Sequence, residues 1–320
     1  MTRLSGHDDA WGAWHEALGS ARMPHAWILA GRKGLGKGLF ARAAAAQLVA
    51  EPGISQPDWA VHPDIIVLDH LPANETEAEK KAEGKPFQTK RNITIDQVRR
   101  MQARLVTRPT LGSRRAVIID PADDLEKGAI NALLKSLEEP PAGTFFLLVA
   151  HRPGRLLPTI RSRCRILRFA PLPNAEMDRI LRDVSPQADG ATRAAAVAAA
   201  EGSPGAALEF VEQNLGALHA LMLRLIAEGD EHLALRGALA EAIGARPDRE
   251  RVQATIDLAR AVVAAELAGP GRDRHQRIIA AYCDLTQLGG QAPIYNFDPG
   301  LLAMEIGGLL ASLAMPREAA

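Results

Sequence analysis

The sequence predicts an α/β domain built on a parallel sheet and followed by domains made of helices alone. Three observations carry this reading. Short apolar runs alternate with helical stretches through the first half, a glycine-rich turn joins the first run to a helix, and the strand signal stops after Phe169. The runs fall at 28–30, 65–68, 116–119, 145–149 and 165–169. The central ones are continuously apolar, as strands covered on both faces must be.

Helical patterns lie between them. One runs over 37–50, directly after the glycine-rich turn. A second, over 96–105, is opened by Thr94 with Gln97 three residues on, the spacing of a capping box. A third, over 129–137, stops before Pro140-Pro141. The stretch 69–91 differs: it is densely charged, holds two prolines and has few apolar residues, so it reads as a solvated, mobile loop. Beyond Pro171-Leu172-Pro173 the pattern is helical throughout. Examples are 221–227, 252–268 and 301–313, the last preceded by Asp298 as N-cap and Pro299 at the first helical position. The expected division is 1–170, 171–213 and 214–320.

A chain of 320 residues exceeds one ordinary core, and 47% apolar with 24% charged residues is a globular balance. Thirty-eight basic residues offset 38 acidic ones, so the chain lacks the basic excess of a protein held to nucleic acid chiefly by its own charge. Cys164 and Cys283 stand far apart without metal-ligand spacing and read as reduced thiols. No signal peptide or membrane-spanning run is visible, and the expected location is cytoplasmic.

The chemistry-bearing motif follows the first strand. Gly31, Gly34, Gly36 and Lys37 lie between a strand and a helix, with Gly31, Gly36 and Lys37 at the spacing of a phosphate-binding loop. Glycines let backbone N–H groups turn toward a phosphate, the helix N-terminus adds positive potential, and Lys37 would reach the β and γ oxygens. The next residue should carry a hydroxyl for Mg²⁺, but it is Gly38. The third strand ends in Asp120, placed as a metal-facing acid, and Pro121, which has no ionisable group, follows it. Asp123 and Asp124 read as helix-start residues.

Downstream, residues 131–141 read NALLKSLEEPP, and Ser162-Arg163-Cys164 follows the fourth strand. Both strings closely resemble motifs of the clamp-loader branch of the AAA+ ATPases. Pro24-His25-Ala26, His62-Pro63-Asp64 and the segment 202–208, GSPGAAL, are also similar to that family. The resemblance covers about residues 20–210. It implies an AAA+ P-loop domain, a small helical lid and a helical collar.

It also implies what is missing. Gly38, Pro121, Ala150 and Gly205 stand where the family's motor subunits carry a metal ligand, a water activator and two nucleotide sensors. A four-cysteine zinc module common in the family is absent from 51–61. What remains is Arg163, which with Ser162 and Cys164 matches the arginine finger offered to a neighbour's ATP; the bland reading is an arginine paired with an acid of its own surface. The resemblance thus implies a non-hydrolysing subunit that works beside gamma/tau and delta subunits to place a sliding clamp on primed DNA. No cofactor is required, with weak ATP or ADP binding at Gly31, Gly34, Gly36, Lys37 and Asp120, and no metal. The alternatives are an active gamma/tau-like ATPase and a stand-alone P-loop nucleotide-binding enzyme.

Overall fold

Each of the five apolar runs forms a strand in the computed structural model: β1 (Ala26–Ala30), β2 (Ile65–Leu68), β3 (Arg115–Ile119), β4 (Thr144–Ala150) and β5 (Arg165–Arg168). The structure describes residues 6–20, 22–269, 272–292, 295 and 297–314. All strand pairs are parallel, in the order β2-β3-β4-β1-β5. This order places β1, which feeds the glycine-rich turn, inside the sheet, between β4 and β5.

The helices of this unit are α1 (Asp8–Leu18), α2 (Lys37–Val49), α3 (Glu75–Ala82), α4 (Ile95–Leu105), α5 (Lys127–Glu138) and the single turn α6 (Pro158–Arg161). They cover both faces of the sheet, and side chains alternate between the two cores with the period of a strand. Ile28, Val117, Ile119, Phe146 and Leu148 join Val98, Met101, Leu133 and Ile160 on one side. Trp27, Leu29, Ile118, Leu147 and Val149 join Trp14, Phe40, Ala44 and Leu48 on the other. Edge strand β5 buries only Leu167.

The capping box at α4 forms, with Gln97 Oε1 accepting from the Thr94 N–H at 3.0 Å. The segment 69–91 is not the structureless loop expected from its charge. It carries α3, capped by Asn74 accepting from the Glu77 N–H at 3.0 Å, and Pro72 bridges antiparallel to Thr89. Glu77 closes the turn by accepting from the Gln88 N–H at 2.6 Å and pairing with Lys80 at 2.7 Å. A polar side chain thus supplies the anchor that the period of apolar residues does not reveal.

The motif His62-Pro63-Asp64 is a structural clasp. Asp64 is fully buried, accepts from the N–H groups of Thr110 and Leu111 at 2.8 Å each, and pairs with buried Arg115 at 3.4 Å. Burial opposes its charge, but those donors outweigh it and hold the carboxyl below its usual range.

The chain divides into two compact units, Met1–Pro171 and Leu172–Ala320. The second contains α7 (Asn174–Val184), α8 (Gly190–Ala199), α9 (Pro204–Glu212), α10 (Gly216–Glu228), α11 (Ala234–Ile243), α12 (Arg249–Ala265), α13 (Arg272–Gln291) and α14 (Pro299–Ala311). Buried apolar side chains of this unit, from Leu172 to Leu313, form one hydrophobic cluster that draws on all eight helices. Asp298 caps α14 by accepting from the Leu301 N–H at 3.0 Å, with Pro299 in the first turn. No helix among the described residues is long and apolar enough to cross a membrane.

Candidate functional site

The loop between β1 and α2 takes the shape its glycines allow. Gly34 and Gly36 have φ of 84° and 78°, in the left-handed region that favours glycine. At Gly31 a Cβ would stand 2.6 Å from the Phe169 carbonyl oxygen, so the close approach of β5's exit requires glycine there. Gly36 caps α2, and Lys37 is its first residue.

Lys37 is buried and bends back on its own loop. Its Nζ donates to the carbonyls of Gly31 at 2.7 Å and Arg32 at 2.5 Å. Burial pushes its pKa down to about 8, against the opposing pull of Asp120 and Asp123. On the other side of the loop, His7 Nε2 donates to the Leu35 carbonyl at 2.9 Å.

Asp120, at the end of β3, faces Arg42 rather than open space. Arg42 Nη1 lies 3.0 Å from Asp120 Oδ2 and donates to the Gly38 carbonyl at 2.8 Å. A P-loop of this class implies a magnesium ion held between a hydroxyl after the lysine and the acid ending β3. The residues present do not fit one. Position 38 offers no oxygen side chain, and a Cβ there would come within 2.5 Å of Asp120 Oδ2 and 2.7 Å of Arg42 Nη1.

The two acids further on are also engaged. Asp123 accepts from the backbone N–H groups of His151 and Arg152, the latter at 3.1 Å, and so ties β4's exit to β3's exit. Asp124 pairs with His70 at 3.2 Å, which lowers the carboxyl and raises the imidazole. Burial, then the charge of Lys37, pushes His151 below the usual histidine range, and its Nδ1 is buried without a hydrogen-bond partner among the described residues.

Arg163 lies on the turn between α6 and β5. Its Nη2 is 2.8 Å from Glu138 Oε1, the first glutamate of the LEEPP string, and its Nη1 donates to the Thr159 carbonyl at 2.9 Å. Ser162 caps α6 and donates to the same carbonyl at 3.1 Å. Cys164 packs against the core, and burial pushes its thiol up to about 12. Thus Arg163 sits between a hydroxyl tied to the preceding turn and a thiol tied to the core.

The structure therefore brings Gly31, Gly34, Gly36, Lys37 and Asp120 to one end of the sheet, and sets Arg163 with Ser162 and Cys164 as a second feature joined to Glu138. Sequence reasoning missed Arg42, whose signal was its i+4 spacing from Gly38 on one helix face. It also missed Asp123 as a backbone anchor and Glu138 as the partner of Arg163; neither has a local spacing signal.

Fold and site together define a P-loop α/β domain in which the metal-side positions are replaced or internally paired. The family model described as DNA polymerase III, delta subunit, matches residues 6–173. The chain belongs to this family, as a delta-prime-type member. It is 36% identical over 173 residues to the DNA polymerase III subunit delta' of Pseudomonas aeruginosa, covering 51% of this chain and 48% of that protein. It is 41% identical over 128 residues to the subunit delta' of Escherichia coli, covering 40% and 38%. The gamma/tau subunit of Mycobacterium bovis is 29% identical over 204 residues, covering 62% and 34%. These matches span about half or less of the relatives' own lengths.

Proposed function

We propose that the chain is a subunit of a bacterial clamp loader that does not hydrolyse ATP itself and that offers Arg163 to the ATP site of a neighbouring gamma/tau subunit. The observation that carries the first half is the pairing of the acids after β3. Asp120 is matched by Arg42, Asp123 by two backbone N–H groups and Asp124 by His70. A general base or metal ligand at this sheet end would have to leave one of these partners, and Pro121 supplies no substitute.

The second half is supported by the exposure and anchoring of Arg163. Its guanidinium is on the surface, held by one half-exposed carboxylate, one carbonyl and the Ser162 hydroxyl. An ion pair of this kind contributes about 0–1 kcal/mol, so exchanging Glu138 for a γ-phosphate is energetically cheap. A planar, always-charged fork then meets the charge that develops on the transferring phosphoryl group, an effect of about 10³–10⁵ in rate for fingers supplied in trans. The partners on this reading are gamma/tau and delta subunits, with the sliding clamp and primed DNA engaged through the assembly. Any ATP or ADP at the degenerate loop is held weakly and without turnover.

A gamma/tau-like motor would need Asp120 freed from Arg42, and a stand-alone P-loop enzyme leaves the LEEPP and Ser162-Arg163-Cys164 strings without a purpose. The test is ATP hydrolysis by the purified chain alone, then in a loader reconstituted with gamma/tau, delta, clamp and primed DNA. We expect no turnover alone, and an Arg163→Ala loader with normal assembly but depressed turnover. Substantial hydrolysis by the chain alone, or an unchanged rate with Arg163→Ala, would overturn the corresponding half.

A further inference from the structure

We infer that Arg42 stands in for the divalent cation of this P-loop, as a counter-ion carried by the chain itself. In α2, residue 42 lies one turn beyond residue 38 on the same face, so its side chain reaches the space in front of the first turn. That space is bounded by Gly38 and by Asp120, the two positions between which a P-loop cation is held.

The guanidinium is fixed there from three sides. It pairs with Asp120 Oδ2 at 3.0 Å, donates to the Gly38 carbonyl at 2.8 Å, and its Cζ lies 5.1 Å from the centre of the Trp59 ring, a cation–π distance. The substitution at 38 and the arginine at 42 are one device. A hydroxyl side chain at 38 would start from a Cβ 2.5 Å from Asp120 Oδ2 and 2.7 Å from Arg42 Nη1, so the carboxylate and the guanidinium meet in this position because residue 38 is glycine and would have to move for any larger residue.

Two consequences follow. A divalent ion approaching Asp120 meets a fixed positive charge and a carboxylate oxygen already engaged. A phosphate-bearing anion at the loop would find its positive charge in Lys37 and Arg42, without metal. This inference concerns an ion site within the chain and stands apart from whether the chain works in a clamp loader.

The experiment is a manganese titration of the full-length, nitrogen-15-labelled chain, followed by paramagnetic broadening of backbone amide signals. Broadening detects weak binding and needs no turnover. In the unaltered chain we expect the Gly38 and Asp120 signals to keep their intensity at low-millimolar Mn²⁺. In Arg42→Ala they should bleach selectively, at a Mn²⁺ concentration lower by at least about tenfold, because the competing charge is gone. Adding Asp120→Asn should restore them. Arg42→Gln, which keeps hydrogen-bonding capacity without charge, repeats the test should the alanine variant misfold. Selective bleaching in the unaltered chain overturns the inference, and so does a folded, charge-free variant at 42 whose signals bleach no earlier.

Discussion

Glu138 and Arg163 meet at 2.8 Å across 25 residues of sequence, joining the end of α5 to the turn before β5. The contact links the chain's two most distinctive strings, LEEPP and Ser162-Arg163-Cys164. The Glu138 side chain is 49% exposed and the Arg163 side chain 35%, so the pair orients Arg163 more than it stabilises the fold. Replacing Glu138 by Gln removes the charge and keeps the shape. A cost of about 0–1 kcal/mol should leave the thermal midpoint within about 4 °C of the parent. A larger drop in a thermal melt would show the pair to be structural.

Asp64 and Arg115 make the opposite kind of pair. Both are buried, and Asp64 also fastens the backbone at 110–111. Asp64→Ala leaves Arg115 with an uncompensated charge, and we expect a loss of about 3–5 kcal/mol in urea denaturation at pH 7. The pH dependence has a definite sign. The folded carboxyl titrates below its usual 3.8, so its contribution is present above pH 3.8 and is lost as pH falls through the lower folded value. The stability gap between parent and variant should therefore close only below pH 3.8.

Lys37 should show an amine that titrates near pH 8 rather than 10.5. Burial penalises the ammonium, so Lys37 becomes neutral and nucleophilic where other lysines remain charged. Folding stability gains on this account as pH rises from about 8 toward 10.5, because the unfolded chain then holds the extra proton. Amine labelling read by mass spectrometry across pH 7–11.5 should give an inflection near 8 at residue 37. An inflection above 10 would contradict the buried geometry.

The thiols should separate cleanly. Burial raises Cys164 to about 12, whereas Cys283 is exposed. A disulfide reagent at pH 8 should modify Cys283 in the native chain and leave Cys164 unmodified until denaturant is added. Rapid modification at Cys164 would mean that the turn carrying Arg163 opens readily.

Much of the architecture was legible because it depends on local periodicity. Continuous apolar runs became β1–β5, and Thr94 with Gln97 became the capping box of α4. The glycine positions of the loop were legible for the same reason: their backbone angles are local properties. The segment 69–91 was misread because α3 is held by Glu77, a buried acid inside a charged run. Charge density argues for solvent, and only the three-dimensional path shows that one carboxylate turns inward.

By itself the sequence determined the αβ order, the phosphate-loop turn and the absence of a hydroxyl at 38 and an acid at 121, since these are properties of residue type and neighbour spacing. Only the tertiary structure decided how the remaining charges are matched. Arg42 and Asp120 are 78 positions apart, and Asp123 reaches the N–H groups at 151–152. Which partner a charge finds depends on which strand ends the sheet order brings together, and a parallel sheet ordered β2-β3-β4-β1-β5 makes neighbours of segments that local spacing cannot connect.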